Sequence, residues 1–289
     1  MALHKGIILA GGAGSRLYPL TAIVSKQLLP VHDKPLVYYP LSLFLENRLD
    51  QICLISTEDQ LPLYRKILGD GSQFGIEIDY RAQAQPDGIA QAFLIAKSFI
   101  QGAPVALALG DNIFHGSSAL APSFQEFATG ATIFAYQVQN PEDYGVIEFS
   151  PGGEVLSLEE KPVRPKSRFV VPGLYLYDAN VVAYAKQLRP SARGELEITD
   201  LNLIYLRHKA LRVVELPRSF AWLDAGTNSG SLHDASSFVR NLEKKQGIKI
   251  GCPEEAALRS GLIKPAQFKA LVRRMPCCEY RSYLESVAE

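Results

Sequence analysis

The sequence predicts an α/β fold: a Rossmann-like, mixed and mostly parallel central sheet flanked by helices, with a small helical appendage at the C-terminus. Three observations lead there. Short, wholly apolar runs at Ile7-Ile8-Leu9, Ile52-Cys53-Leu54-Ile55 and Val105-Ala106-Leu107-Ala108-Leu109 have the composition of strands buried on both faces. Helical spacing lies between them, and strands alternating with helices through the first 110 residues point to a parallel sheet. Beyond Ser229 nearly everything reads as helix.

Taken in order, the first apolar run ends in Gly11-Gly12-Ala13-Gly14-Ser15-Arg16, a turn with almost no side chain. Leu41, Phe44 and Leu45 fall at i, i+3 and i+4 and predict a helix leading into the second run. Residues 59–68 read as another helix, closed by Gly69-Asp70-Gly71. Ile76, Ile78 and Tyr80 alternate with Glu77 and Asp79 as a half-buried strand, and residues 88–101 read as one helix. After Gly130 the texture changes. Residues 131–138, 145–149, 155–159 and 169–177 are strand-like, with Pro151-Gly152-Gly153 as punctuation. Helices are expected at 179–188 and 198–208, and strands at 211–216 and 221–223. Pro253-Glu254-Glu255 and Pro265-Ala266-Gln267 have the proline-first composition of helix starts. The chain thus divides into a main domain, 1–240, with parts of about 1–130 and 131–240, and a helical region, 241–289. No internal repeat interrupts it.

Composition narrows the partners. Thirty basic residues balance thirty acidic ones, so no net field draws the protein to nucleic acid or an anionic membrane. Any phosphate site must be built locally. No apolar run approaches the roughly 18 residues of a spanning helix. The apolar stretch at the N-terminus, about four residues, is too short for a signal peptide. Cys53, Cys252, Cys277 and Cys278 lack Cys-x-x-Cys spacing and are expected as free thiols in a reducing cytoplasm, Cys277-Cys278 on a surface helix.

The chemistry starts at the glycine turn. Missing side chains let backbone N–H groups approach an anion, and glycine admits the positive φ such a nest needs. Arg16 adds a fork suited to phosphate oxygens, and a second cation, Lys26, follows in Ser25-Lys26-Gln27-Leu28-Leu29-Pro30. No lysine follows the glycines as a P-loop requires, and Leu17 stands where a dinucleotide fingerprint needs its third glycine. A tight turn with a solvated arginine is the plain alternative. Asp111, in Leu109-Gly110-Asp111-Asn112, and Asp224, in Trp222-Leu223-Asp224-Ala225-Gly226-Thr227, each end an apolar strand. Asp111 alone could simply cap the next segment, a reading that the second aspartate in the same setting weakens. Two strand-end carboxylates facing a polyphosphate loop also suit Mg²⁺. Gln83 offers an amide that donates and accepts together, as a pyrimidine imide edge requires, with Gln85 a rival and a polar loop the alternative. Glu160-Lys161 alone reads as a solvated turn. The histidines form no ligand-spaced pair and no Gly-x-Ser-x-Gly elbow occurs, so a hydrolase triad has no support.

Leu9-Ala10-Gly11-Gly12-x-Gly14-Ser15-Arg16-Leu17, followed by Ser25-Lys26-Gln27-Leu28-Leu29-Pro30-Val31-His32-Asp33-Lys34-Pro35 and Tyr38-Tyr39-Pro40-Leu41-Ser42, resembles the opening of the sugar-nucleotide pyrophosphorylases. It is closest to their glucose-1-phosphate thymidylyltransferase branch. The likeness continues through Gln83 to Gly88, Tyr144-Gly145-Val146, Glu159-Glu160-Lys161-Pro162, Gly173-Leu174-Tyr175 and Arg193-Gly194-Glu195. The resemblance implies a Mg²⁺-dependent transfer from dTTP to α-D-glucose 1-phosphate, with pyrophosphate leaving, as supplies dTDP-rhamnose pathways in bacterial relatives. It implies nucleotide binding by Leu9, Gly11, Gly12, Gly14, Ser15, Arg16, Gln83, Gly88 and Asp111 within the first 130 residues. Sugar phosphate would be held by Tyr144, Gly145, Glu160, Lys161, Tyr175 and Arg193 within 131–240. Asp111 and Asp224 would bind the metal, and Arg16, Lys26 and Lys161 would act on the phosphates. A homotetramer, and in some members a second nucleotide site near the C-terminal helices, also follow from the resemblance. A pyrophosphorylase for UTP or another sugar phosphate is the nearest rival. A non-catalytic regulatory subunit is a further one, against which the joint presence of Arg16, Lys26, Asp111, Lys161 and Asp224 argues. Ala225, Asn228-Ser229-Gly230 and Pro172 depart from the family's usual residues.

Overall fold

The computed structural model describes residues 3–12 and 14–288. Its first half contains β1 (Lys5–Leu9), the short hairpin β2 (Pro30–Val31) and β3 (Lys34–Pro35), α1 (Tyr38–Glu46), β4 (Gln51–Ser56), α2 (Leu61–Leu68), β5 (Glu77–Ala82), α3 (Gln91–Ile95), α4 (Lys97–Ile100) and β6 (Val105–Leu109). β7 (Asn112–His115), α5 (Ala121–Gln125), β8 (Ala131–Gln137), β9 (Gly145–Phe149), β10 (Val155–Glu160), β11 (Phe169–Val170) and β12 (Leu174–Tyr177) follow. The remainder is α6 (Val181–Ala185), α7 (Ile198–Arg207), β13 (Leu211–Glu215), β14 (Ala221–Asp224), α8 (Ser229–Gln246), α9 (Pro253–Arg259), α10 (Pro265–Arg273) and α11 (Glu279–Val287).

The strands form a mixed ten-stranded sheet in the order β10-β9-β11-β8-β12-β6-β1-β4-β5, with β13 added beside β8. The four main-sheet strands of the first 110 residues, β1, β4, β5 and β6, run parallel, and β12 joins them antiparallel along β6. The pleat sends alternate residues to opposite sides. Ile8, Ala106 and Ala108 enter one apolar layer, while Ile7, Leu9, Val105 and Leu107 enter the other. Both faces are therefore covered, which is why Ile7-Ile8-Leu9 of β1 and the whole of β6 are apolar. The C-terminal helices share the first layer, since Ala256, Phe268 and Leu284 pack in one cluster with Phe44, Leu45 and Phe74. Among the described residues no helix is long and apolar enough to cross a membrane.

The structure corrects three local expectations and adds a strand, β7, that the sequence does not predict. The helix read over 88–101 is broken at Ala96, whose φ of −83° and ψ of 9° leave the helical region between α3 and α4. The strand read over 169–177 is interrupted at Val171-Pro172-Gly173. Proline has no N–H for the ladder, and Gly173 instead donates its N–H to Asn112 Oδ1 at 3.2 Å. β7 follows β6 after only two residues and pairs with β14, forming a two-stranded ribbon outside the main sheet. Cys277 and Cys278 are exposed, but they lie in the turn before α11 rather than within a helix.

One buried ionic cluster ties α8 to the hairpin that follows Lys26. Lys34 Nζ lies 2.9 Å from Glu243 Oε1 and 2.5 Å from Asp33 Oδ1. Lys249 pairs with Asp33 and, at 3.3 Å, with Glu243 Oε2. The Ile250 N–H donates to Glu243 Oε1 at 2.8 Å. His32, Asp33 and Glu243 bring potential ligand atoms within 4.8 Å of one another, but the two lysines already balance these carboxylates.

Candidate active site

β1 and β6 end side by side, with Leu9 level with Leu109, and the Gly110 N–H donates to Leu9 O at 2.9 Å. Beyond these carboxyl ends β1 opens into the glycine turn and β6 into Gly110-Asp111, where ligands bind in open α/β sheets. A cleft there is lined by Leu9, Gly11, Gly12, Gly14, Ser15, Arg16, Lys26, Gln83, Gly88, Asp111 and Lys161. Through Arg16, Ile89, Leu109 and Lys161 it continues into a second chamber, lined by Tyr144, Gly145, Glu160, Tyr175, Thr199, Trp222 and Asp224 among others.

Gly12 and Gly14 have φ of +104° and +59°, values open to glycine without strain. Ala13, between them, lies outside the described residues. Thr21 Oγ1 holds the turn by donating to Gly14 O at 2.7 Å. The next segment is pinned from several sides. The Ser25 N–H donates to Gln60 Oε1 at 2.8 Å, Ser25 Oγ donates to Gln27 Oε1 at 2.7 Å, and Gln27 is buried. Lys26 projects from this anchored stretch, and its Nζ donates to Asp111 Oδ2.

The carboxylates are held by their neighbours. Asn112 Nδ2 donates to Asp111 Oδ1 at 2.9 Å, and the Ala225 N–H donates to Asp111 O at 3.0 Å, bringing the end of β14 beside the end of β6. Asp224 Oδ1 accepts from the Gly226 N–H at 2.9 Å. Burial works against ionising Asp111 and against protonating Lys26, yet their mutual attraction wins. It holds Asp111 below the usual carboxylate range and Lys26 above the usual amine range. Among the described residues no cation is bonded to Asp224. Burial, and then the negative charge of Asp111, push it up to about 6. A hard divalent cation with oxygen ligands would relieve both effects, so this donor set fits Mg²⁺.

In the second chamber Glu160 Oε2 accepts from Thr199 Oγ1 at 2.5 Å. Lys161 takes a left-handed φ of +44°, unusual outside glycine, while its N–H donates to Tyr144 O at 3.0 Å. That reversal at the end of β10 turns Lys161 toward both chambers, the kind of strained backbone found at functional positions. Trp222 Nε1 donates to Asn112 Oδ1 at 2.6 Å, and the indole meets Tyr144 edge-on at 5.1 Å. Tyr175 is buried, stacked on Tyr177 at 6.2 Å.

One expected residue is not brought into the cleft. The Arg193 guanidinium pairs with Glu195 at 2.7 Å and Glu197 at 3.3 Å, and Glu195 rather than Arg193 lines the wall. Between the two glutamines, Gln83 is buried and faces the cleft, whereas Gln85 is exposed outside it. Sequence reasoning missed Gln27, Asn112, Thr199 and Trp222. Each is a neighbour of a recognised motif, and adjacency was the signal that could have found them. The unusual residues have local accounts. Ala225 is fully buried, and Asn228 caps α8 by accepting from the Ser231 N–H at 2.9 Å. Pro172 sits at the break between β11 and β12.

Residues 5–241 match the nucleotidyl transferase family, and the chain belongs to it. Within it, the chain is similar to proteins named glucose-1-phosphate thymidylyltransferase. It is 52% identical over 282 residues to that of Neisseria meningitidis serogroup A, covering 97% of this chain and 98% of the relative. It is 50% identical over 287 residues to that of Mycobacterium tuberculosis H37Rv, covering 99% of each. A crystal structure described as a Bacillus anthracis glucose-1-phosphate thymidylyltransferase in complex with sucrose superposes with a TM-score of 0.77 at 40% identity, over 83% of this chain and 96% of that one. A UDP-glucose pyrophosphorylase complexed with UDP-glucose shares the fold at TM-score 0.71 and 22% identity.

Proposed function

We propose that this chain transfers the thymidylyl group of dTTP to α-D-glucose 1-phosphate, giving dTDP-glucose and pyrophosphate. The observation that carries this reading is the Asp111–Asp224 pair, one carboxylate lining each chamber, with Lys26 bonded to the first. In it the glycine turn, Ser15 and Arg16 bind the triphosphate, Gln83 and Gly88 face the base, and Tyr144, Gly145, Glu160 and Tyr175 surround the sugar. Arg193 acts only indirectly, through Glu195. Residues 1–240 form the transferase unit and 241–289 buttress it. The chain works in the cytoplasm as a homotetramer.

The attacking sugar-phosphate oxygen is already anionic, so no general base is required. The barrier is electrostatic: two unit charges 4 Å apart repel by about 4 kcal/mol at an effective dielectric near 20. Lys161 draws in the incoming phosphate, and Lys26 neutralises charge at the α-phosphate as the five-coordinate state forms. Arg16 holds the departing pyrophosphate. Mg²⁺ on Asp111 and Asp224 would supply further charge neutralisation. Alignment across the junction of the two chambers contributes the remainder. The test is pyrophosphate release by the purified chain with dTTP and glucose 1-phosphate, with and without Mg²⁺, and chromatographic identification of dTDP-glucose. Absence of the product with Mg²⁺ present overturns the reading.

A further inference from the structure

Gln83 does not stand alone at the cleft wall. Its Nε2 donates to Gln91 Oε1 at 2.7 Å, and Gln91 Nε2 in turn donates to Asp87 Oδ2 at 2.8 Å. The far end of this chain is a carboxylate, which when ionised has no hydrogen to give. It can only accept, so Gln91 must turn its NH₂ toward Asp87 and its carbonyl toward Gln83. Gln83 must then turn its own NH₂ toward Gln91. Reversing Gln83 alone would set two carbonyl oxygens against each other. Reversing both amides would set the Gln91 carbonyl against the Asp87 carboxylate.

The consequence falls on the cleft side. With Nε2 committed to Gln91, Gln83 Oε1 lies over Gly11, only 2.2 Å from where a Cβ on that residue would stand. No donor among the described residues takes that oxygen. Gln83 therefore offers an acceptor, Oε1, beside the second hydrogen of Nε2. That pattern complements thymine and uracil, whose N3 carries hydrogen and whose O4 accepts. Cytosine presents the inverse, an N3 acceptor beside an N4 donor.

We infer that Asp87 and Gln91 are positioning residues that lock the orientation of the Gln83 amide, and so select pyrimidines bearing N3–H against cytosine. This rests on the reading of Gln83 as the base-facing side chain. Neither positioning residue lines the cleft. Asp87 also holds the loop through its backbone, where its carbonyl accepts from the Leu196 N–H at 2.6 Å. An Asp87→Asn substitution preserves that bond while adding a donor to the end of the chain.

The experiment measures kcat/KM for dTTP, dUTP and dCTP with the purified full-length chain. dUTP and dCTP differ only at the base edge, and dTTP and dUTP only by a methyl group. Asp87→Asn is expected to lower the dUTP:dCTP ratio by roughly tenfold, the scale of one hydrogen bond, and to leave the dTTP:dUTP ratio unchanged. Asp87→Asn/Gln91→Glu places an acceptor-only group directly against Gln83 and should restore the dUTP:dCTP ratio. A loss of edge discrimination without that restoration, or no loss at all in Asp87→Asn, overturns the lock. Gln83→Leu separates the two levels of the argument. If it leaves dUTP:dCTP unchanged, the base-facing reading fails and the lock with it. If it lowers the ratio while Asp87→Asn does not, only the lock fails.

Discussion

No side chain fits between Gly226 and Asp111: a Cβ on the glycine would lie 2.2 Å from Asp111 Oδ2 and 2.6 Å from Lys26 Nζ. The backbone after β14 closes directly over the carboxylate–lysine pair. Gly226→Ala must displace one of them, and a misplacement near 1 Å can lower rate by about 10²-fold. Activity is expected to fall on that scale. The melting temperature should drop only a few degrees, since overpacking costs about 1–3 kcal/mol. Near-normal kcat in a folded Gly226→Ala would show that the Lys26–Asp111 geometry is not needed.

Asp224 gives a pH-dependent prediction whose sign follows from its raised pKa. The native carboxyl titrates at about 6, against 3.8 as the ordinary value, chiefly through burial and then the charge of Asp111. Between those values the native state binds more protons than the unfolded chain, so stability falls as pH rises through the window. Above it the penalty is complete. Asn can keep the bond from the Gly226 N–H while removing the charge. In chelator at pH 7.5, Asp224→Asn should melt above the parent protein by about 2–4 °C, corresponding to roughly 1 kcal/mol after discounting for partial exposure. Near pH 4 the difference should vanish. Mg²⁺ should raise the melting temperature of the parent but not of the variant. A variant melting lower at pH 7.5 would contradict the burial argument.

The buried cluster around Glu243 yields a stability prediction outside the cleft. Lys34 is 3% exposed and Glu243 7%, so removing Glu243 leaves Lys34 and Lys249 sharing Asp33 alone, one positive charge in excess with little water to receive it. Glu243→Ala should cost about 3–5 kcal/mol and lower the melting temperature by roughly 5–15 °C. Replacing the pair together, Lys34→Met with Glu243→Leu, should recover much of the loss. Equal losses in the single and double variants would show that packing, not charge, holds α8 to the hairpin.

What was legible in the sequence follows from the range of the interactions. Ile7-Ile8-Leu9 and Val105 to Leu109 are apolar because both sheet faces are covered, and that requirement is visible in a short window. The glycine turn, Lys26 and the two aspartates were equally visible as residues beside strand ends, and the structure brings them together around one cleft and its adjoining chamber. β7 was not visible. Asn112 to His115 become a strand only because Ala221 to Asp224, far along the chain, arrive beside them. The same holds for Trp222, which matters through its bond to Asn112. Arg193 is a local case: its guanidinium is claimed by Glu195 and Glu197, two and four residues on, and that choice of partners is made by side-chain conformation. The Gln83–Gln91–Asp87 chain lies within nine residues, yet its direction depends on side-chain atoms that no periodicity reveals.

The two cations of the opening stretch should fail differently when removed. Lys26 stands on a pinned segment and bonds Asp111, whereas Arg16 is exposed at the junction of the two chambers. In the proposed reaction Lys26 meets the α-phosphate, where charge and geometry change most, and Arg16 meets phosphates held both before and after transfer. Loss of an interaction made mainly in the transition state lowers kcat, and loss of uniform binding raises KM. Lys26→Ala should therefore cut kcat by roughly 10²–10³, the scale of one preorganised stabiliser, with a smaller change in the KM for dTTP. Its melting temperature offers an independent check, because Asp111 would lose the cation that holds its carboxyl ionised and would titrate upward. Arg16→Ala should raise the KM for dTTP and also lower kcat, since the leaving pyrophosphate loses its partner, with melting changed by no more than a few degrees. Steady-state kinetics on both variants, with melting curves as the folding control, decide the assignment. A folded Lys26→Ala that keeps near-normal kcat would remove the lysine from the α-phosphate and leave the glycine turn to be explained by binding alone.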